Sequence, residues 1–308
     1  MSNAYQKSFE SQTKLLITGE YFVLRGAQAL ALPLKFSQKL MVNAGNEGPI
    51  LAWESKIHGQ HWFSASLLPD FSVKETTSKS LSYTLSGILK AAASLNSNFK
   101  IEDPSCRVIS DMNFNPGWGV GSSSSLVSNI AHWAECDPFE LNNLTFNGSG
   151  YDIACARSIK PIVYEKIAHL PTFREVNFQP TFHQNLYFIY LNRKQNSRTS
   201  IQELDLSRIT PTGIQTVNRL TDELIAAKDL QNFQQIMEEH EEMTGKILRK
   251  ESVQKLLFPD FQGAVKSLGA WGGDFVMAAS NAPEAYVRNY FHAREFNTIF
   301  NYREIVSI

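Results

Sequence analysis

Cysteine is scarce. Cys106, Cys136 and Cys155 are the three in 308 residues, none forms a C-x-x-C pair, and no histidine stands at zinc-finger spacing from them. A disulfide framework and a structural zinc site are thereby excluded as organising elements, and a reducing, cytoplasmic setting is the simplest expectation. Long apolar runs are also missing. No stretch approaches the roughly 18 uninterrupted apolar residues of a membrane helix, so no membrane association is expected. The start of the chain lacks a basic segment followed by an apolar one, so no export leader is expected. Neither sign of charge is in excess: 29 basic and 30 acidic residues leave a formal net charge of -1. A nucleic-acid partner held by bulk electrostatics is not expected from that balance, which still permits a local anion site. Repeats, low-complexity runs and long charge blocks are absent too.

What is present is ordinary globular material. The chain is 43% hydrophobic and 19% charged, with 20 Phe, 10 Tyr and 5 Trp, which argues against intrinsic disorder. At about 150 residues per domain the length predicts two domains or two lobes. Lys14–Thr18, Leu30–Pro33 and Leu40–Val42 read as short strands, and Leu186–Leu191 as a strongly β-favouring one. Leu81, Leu85, Ile88 and Leu89 have helical spacing within 80–95. So have Leu126, Val127, Ile130, Ala131 and Ala134 in a helix that opens at the serines 122–125. Two further helices carry Ile214, Val217, Leu220, Leu224 and Ile225, then Phe233, Ile236, Met237, Met243, Ile247 and Leu248. Phe275–Ala279 is strand-like. The order predicts an α+β chain with a boundary near 170–185, hence lobes at 8–175 and 176–308.

Four segments can carry chemistry. Pro116-Gly-Trp-Gly-Val-Gly-Ser-Ser-Ser-Ser125 feeds three glycines into a helix N-terminus, where unpaired N–H groups and the helix dipole favour an anion. No Lys follows the glycines, so it is not a Walker A loop; the bland reading is a tight turn with a serine cap. Gly269-Ala-Trp-Gly-Gly-Asp274 suits a close approach to a ligand or a hairpin-type turn. In Gly148-Ser-Gly-Tyr-Asp152 the carboxylate is a base, a metal ligand or, by frequency, a cap. Lys14-Leu-Leu-Ile-Thr-Gly-Glu20 places two charges around a buried strand, or is plain surface charge.

In this order and spacing, spanning 14–279, the four segments resemble the GHMP small-molecule kinases (galactokinase, homoserine, mevalonate and phosphomevalonate kinases). The first motif of that family is Lys, an apolar strand and Gly-Glu, as in Lys14–Val23. The second, Pro-x-x-Gly-Leu-Gly-Ser-Ser, is matched by Pro116–Ser123 with Val120 for Leu. The third is a Gly-Ala-Gly-Gly-Gly run, matched by Gly269–Gly273 with Trp271 inside it. Gly150-Tyr-Asp-Ile-Ala154 resembles a GHMP subgroup named for that string. Gly19-Glu-Tyr21 and Gly273-Asp274 are most similar to the phosphomevalonate kinase style.

The resemblance implies a two-lobed GHMP kinase fold, with an N-terminal lobe like ribosomal protein S5 and a C-terminal ferredoxin-like lobe. It implies an ATP- and Mg²⁺-dependent phosphotransferase acting on a mevalonate-pathway intermediate, mevalonate or phosphomevalonate, in isoprenoid biosynthesis, as a monomer or homodimer. A homoserine or sugar kinase and a degenerate metabolite-binding member are the alternatives. Family likeness puts ATP over Pro116, Gly117, Trp118, Gly119, Val120, Gly121, Ser122, Ser123 and Ser124, with Ser123 as the Mg²⁺ ligand. It makes Asp152 the residue that orients or deprotonates the acceptor hydroxyl and Lys14 its cationic neighbour. Acceptor contacts are implied for Glu20, Tyr21, Lys194, Ser197, Arg198, Gly272 and Gly273. Lys194, Ser197 and Arg198 lie in 192–200, whose cations suit a carboxylate or phosphate, or else a solvated hairpin.

Three departures stand out. Many members carry a metal-binding Glu about eleven residues before the Asp; here that position is Leu141, beside Glu140. Trp118 and Trp271 occupy loops where small residues are usual, and each is expected to stack on adenine or narrow the phosphate channel. Glu238-Glu-His-Glu-Glu-Met243 lacks the second His of a zinc helix, so His240 reads as half-buried on a solvated face.

Overall fold

The computed structural model describes residues 7–44, 50–100, 106–168, 170–193 and 204–307. These group into two compact units that alternate along the chain. One takes the residues up to Thr13, Phe36–Pro116 and Gly121–Arg157; the other takes Lys14–Lys35, Gly117–Val120 and Ser158 onward. The division therefore differs from the single boundary at 175/176 expected from the sequence. Two strands, β1 (Lys7–Leu16) and β2 (Ala29–Ala44), start in one unit and end in the other.

The first unit continues with β3 (Leu51–Ile57), β4 (Gln60–Leu67), β5 (Val73–Thr76), α1 (Lys79–Leu95), β6 (Cys106–Met112), α2 (Ser122–Ala134), α3 (Pro138–Thr145) and α4 (Tyr151–Ala156). Its strands are ordered β5-β4-β3-β6-β2, with β3 parallel to β6. Alternation sets which face is buried: Leu51 and Trp53 of β3 and Phe63, Ala65 and Leu67 of β4 point to one side. Leu85, Ile88, Leu89 and Ala92 of α1 and Val127, Ile130, Ala131 and Ala134 of α2 cover them at helical spacing. Beneath α2 there is also a polar layer. Ser125 donates to Gln38 Oε1 at 2.7 Å, the Asn129 side-chain amide donates to the Gln38 carbonyl at 2.8 Å, and the Ser11 hydroxyl sits 2.9 Å from Ser128 and Asn129. All five side chains are buried, and each has a hydrogen bond there, as burial of polar groups requires.

The second unit contains β7 (Ile162–Ile167), β8 (Leu170–Glu175), β9 (Leu186–Tyr190), α5 (Pro211–Ala226), α6 (Leu230–Leu248), α7 (Val253–Leu257), β10 (Ala264–Ser267), β11 (Phe275–Ala279), α8 (Glu284–His292), β12 (Ile299–Asn301) and α9 (Tyr302–Ile305). Thr210 and Asp229 cap α5 and α6 by accepting from the Gly213 and Asn232 N–H groups. The antiparallel sheet β10-β11-β9-β12 has the strand order of a ferredoxin-like β-α-β-β-α-β unit. Its apolar face holds Tyr187, Ile189, Val265, Val276 and Ala278 against Phe258, Phe261, Val287 and Phe291. The sequence expected two strands in 30–42; β2 is one strand, and its ladder to β7 ends at Ala31 while that to β6 begins at Gln38. Pro33, which has no N–H to give, falls between the two ladders.

Candidate active site

In the first unit, α2 opens on Gly121 at φ 99 with no side chain capping it. This removes the serine-cap reading: the first-turn N–H groups meet no serine oxygen. The four serines point in different directions. Ser123 is exposed, while Ser124 and Ser125 are buried. Ser124 donates its hydroxyl to Asp152 Oδ2 at 2.5 Å. Asp152 does not cap α4 either, since Gly150 at φ 96 holds that position without a side-chain bond. Its other oxygen, Oδ1, accepts from the Ile153 N–H at 3.2 Å. The helix that begins at the glycine segment and the carboxylate expected to act in transfer are thus joined by one charge-assisted bond. Leu141, at the position where many GHMP kinases carry a metal-binding Glu, is fully buried in the core, and Glu140 is exposed on α3. Among the described residues no group of three His, Cys, Asp or Glu could hold a metal.

In the second unit, Gly117–Val120 meets three partners. The Lys14 N–H donates to the Val120 carbonyl at 2.9 Å, which ties the end of β1 to the segment. Tyr190 donates its hydroxyl to the Gly117 carbonyl at 3.0 Å. Asp274 lies against Gly119, at φ 72, so closely that a Cβ there would stand 2.2 Å from its carboxyl carbon. Trp118 is half-buried and meets Phe275 and Phe300 edge to face. Lys14 itself is buried, not plain surface charge.

The third glycine segment joins β10 to β11, antiparallel partners, so the hairpin reading holds for its ends. Gly272 is exposed and a Cβ there would meet nothing within 4 Å, whereas Gly273 is buried. Trp271 is not placed to stack on a base. It is 3% exposed, packs with Phe22, Val217 and Ile247, and lies against Gly245. Its backbone N–H donates to Tyr21 Oη at 3.0 Å. Tyr21, expected to touch the acceptor, is likewise buried, and its hydroxyl accepts that bond.

Glu20 is the larger departure. Expected at the acceptor, its carboxylate is buried and meets Lys266 Nζ at 2.5 Å and His240 Nε2 at 3.6 Å. Burial pushes the Glu20 carboxyl up to about 7 against the pull of Lys266. His240 is fully buried, not half-buried, and accepts from the Gly19 N–H at 2.9 Å. Burial, then Lys266, hold it well below its ordinary pKa, so it is neutral. Next to it, Glu241 accepts from the Ser267 N–H and hydroxyl and from the Val253 N–H. Sequence reasoning missed Lys266 and Glu241. One signal was available: Lys266 follows the apolar Ala264-Val265 in a short strand, and a fully buried Lys needs a carboxylate partner. Lys194, Ser197 and Arg198 lie outside the described residues.

No protein-family model matches the chain, and no curated protein does. Solved structures do match over nearly the whole length. Mevalonate kinase from Methanococcus jannaschii superposes with a TM-score of 0.68 at 14% identity, covering 100% of both chains. Phosphomevalonate kinase from Streptococcus pneumoniae, in complex with phosphomevalonate and AMPPNP, gives 0.68 at 14%, covering 96% of this chain and 99% of that one. Galactokinase from Lactococcus lactis complexed with galactose gives 0.63 at 12%, covering 98% and 93%. All three are GHMP superfamily members, and the fold of this chain is theirs.

Proposed function

We propose that the protein is an ATP-dependent kinase that moves the γ-phosphoryl group to a hydroxyl of a small metabolite, with mevalonate or phosphomevalonate preferred. The observation that carries this reading is the bond from Ser124 to Asp152, which fixes a carboxylate at the start of the helix that the glycine segment opens. Phosphoryl transfer asks little covalent chemistry of a protein. It asks for positioning and for neutralised phosphate charge. The uncapped first turn of α2 offers N–H groups to a phosphate, and Gly121 lets the chain approach it closely. Asp152 orients the acceptor hydroxyl and accepts its proton, while the Ser124 bond keeps the carboxylate in one orientation. Lys14 is assigned to neutralise phosphate charge.

The donor set suits Mg²⁺, which takes few protein oxygens and relies on phosphates and water for the rest. Ser123, exposed on the first turn of α2, would supply a hydroxyl. The cation would offset phosphate charge when bound. The preference for a mevalonate-type acceptor rests on likeness to the neighbours named above and on Gly19-Glu-Tyr21 and Gly273-Asp274. Leu141, buried at the position of that metal-binding Glu, favours a second reading: a member that binds a metabolite without turnover.

ADP release with mevalonate, phosphomevalonate, homoserine and galactose separates these readings. Turnover with one of the first two supports the proposal. Turnover with homoserine or galactose alone shifts the acceptor class, and nucleotide binding with no turnover on any acceptor favours the second reading.

A further inference from the structure

In the second unit, β8 is an edge strand. It pairs with β7 on one side, and among the described residues no strand pairs with the other. The ladder fixes which backbone groups face outward. The Val176 N–H donates to the Pro161 carbonyl at 2.8 Å, and opposed residues of antiparallel strands alternate between bonded and non-bonded pairs. Thr172 and Arg174 therefore turn their backbone groups toward Glu165 and Val163 of β7. Pro171, Phe173 and Glu175 turn theirs away, and Pro171 has no N–H to offer there. The edge is apolar as well as open: Ile167 and the opposed Leu170 are 55% and 68% exposed on one face, and Phe173 is 46% exposed on the other. Open edges of this kind invite another strand.

We propose that β8 pairs antiparallel with β8 of a second copy of this chain, about a twofold axis at Phe173. The two Phe173 residues then exchange both of their backbone bonds, and each Glu175 N–H meets the partner's Pro171 carbonyl. The charges fit this register. On one face Arg174 stands beside the partner's Thr172 and, one strand further, the partner's Glu165. On the other, Glu175 stands beside the partner's Pro171 and, one strand further, the partner's Lys166. Such next-but-one strands lie about 10 Å apart, a gap that these long side chains bridge over a small Thr or Pro. Leu170 comes beside the partner's Val176 and prolongs the apolar row begun by Ile167. The neighbouring registers fit worse: one sets Arg174 directly against the partner's Arg174, and the other sets it against the partner's Leu170 and leaves Glu165 with no cation in its row. The present partners of these charges are exposed. Arg174 is 3.7 Å from Asp222, Glu175 is 3.6 Å from Lys160, and Ser158 donates to Glu175 at 3.3 Å, so regrouping them costs little. An isologous pair of this kind closes at two chains.

Sedimentation equilibrium of the full chain, from about 1 to 100 μM, tests the proposal. The wild type should show a monomer–dimer equilibrium in that range. Phe173→Pro removes an N–H that β7 does not use, and it should weaken the dimer by at least about tenfold. Arg174→Glu should do the same by placing like charges in one row, and adding Glu165→Lys should restore association. Melting curves identify the folded variants, and Arg174→Glu serves if Phe173→Pro is not folded. A wild type that stays monomeric over the whole range overturns the proposal. So does a dimer that a folded Phe173→Pro or Arg174→Glu leaves unchanged, or a folded charge-swapped double variant that associates no better than Arg174→Glu.

Discussion

Ser124, Asp152, Glu20 and His240 show what single side chains contribute. Ser124→Ala deletes one donor to Asp152 and should lower kcat by about tenfold, with the ATP dissociation constant unchanged by calorimetry. Ser123→Ala should raise the Mg²⁺ concentration needed for half-maximal turnover, read from a metal titration; an unchanged requirement moves the ligand to Ser122. Glu20 and His240 give a pH prediction with opposite signs. The folded pKa of Glu20 is raised from 4.5 to about 7, so its stability contribution is full below 4.5 and is lost as pH rises through 7. His240 is depressed from 6.5, so its contribution is full above 6.5 and is lost as pH falls. Chemical denaturation from pH 5 to 8 should therefore show the wild type losing stability relative to Glu20→Gln as pH rises. A constant difference between the two proteins contradicts the burial of an ionising Glu20. Lys266→Met leaves that carboxylate unpaired in the core and should cost about 3 to 5 kcal/mol. These roles were hard to read from the sequence. Glu20 and Tyr21 fit a motif, but their burial depends on α6 and β10, which lie more than 200 residues away.

At the scale of elements, the helices were legible because their apolar residues recur at helical spacing, as in α1, α2, α5 and α6. The strands β3, β4 and β5 were not singled out, although Trp53-Glu-Ser-Lys56 and Phe63–Leu67 alternate between a buried and an open face, because their buried faces carry small and polar residues such as Ser55 and Ala65 beside the large apolar ones. The glycine segments were visible as segments, yet their conformations needed partners. Trp271 became core because Gly245 of α6 leaves room for its ring, at 3.4 Å from where a Cβ would stand. Gly245→Ala would also press on the Lys250 carbonyl at 2.8 Å. It should lower stability by about 1 to 3 kcal/mol in a denaturant titration. Gly121→Val demands φ near 99 of a β-branched residue and fills the approach to the first turn of α2. Nucleotide affinity should fall at least tenfold while the fold, read by circular dichroism, persists.

For the whole molecule, the four segments and their order carried the fold class, and the structural neighbours share that fold over 93 to 100% of their own chains at 12 to 14% identity. The path of the chain was not legible: β1, β2 and the glycine segment cross between units, and no composition shift marks those crossings. No helix among the described residues is long and apolar enough to cross a membrane. The central claim is that Asp152 governs transfer to a bound acceptor. Asp152→Asn keeps the side-chain shape and removes the charge, so kcat with the acceptor found by ADP release should fall by about 10² to 10⁴-fold. The ATP dissociation constant, measured on the same protein, should hardly move. Lys14→Met should also lower kcat, and the double variant should be scarcely slower than the slower single one if the two act as a unit. A wild-type kcat in Asp152→Asn would contradict the account and leave Asp152 as a structural partner of Ser124.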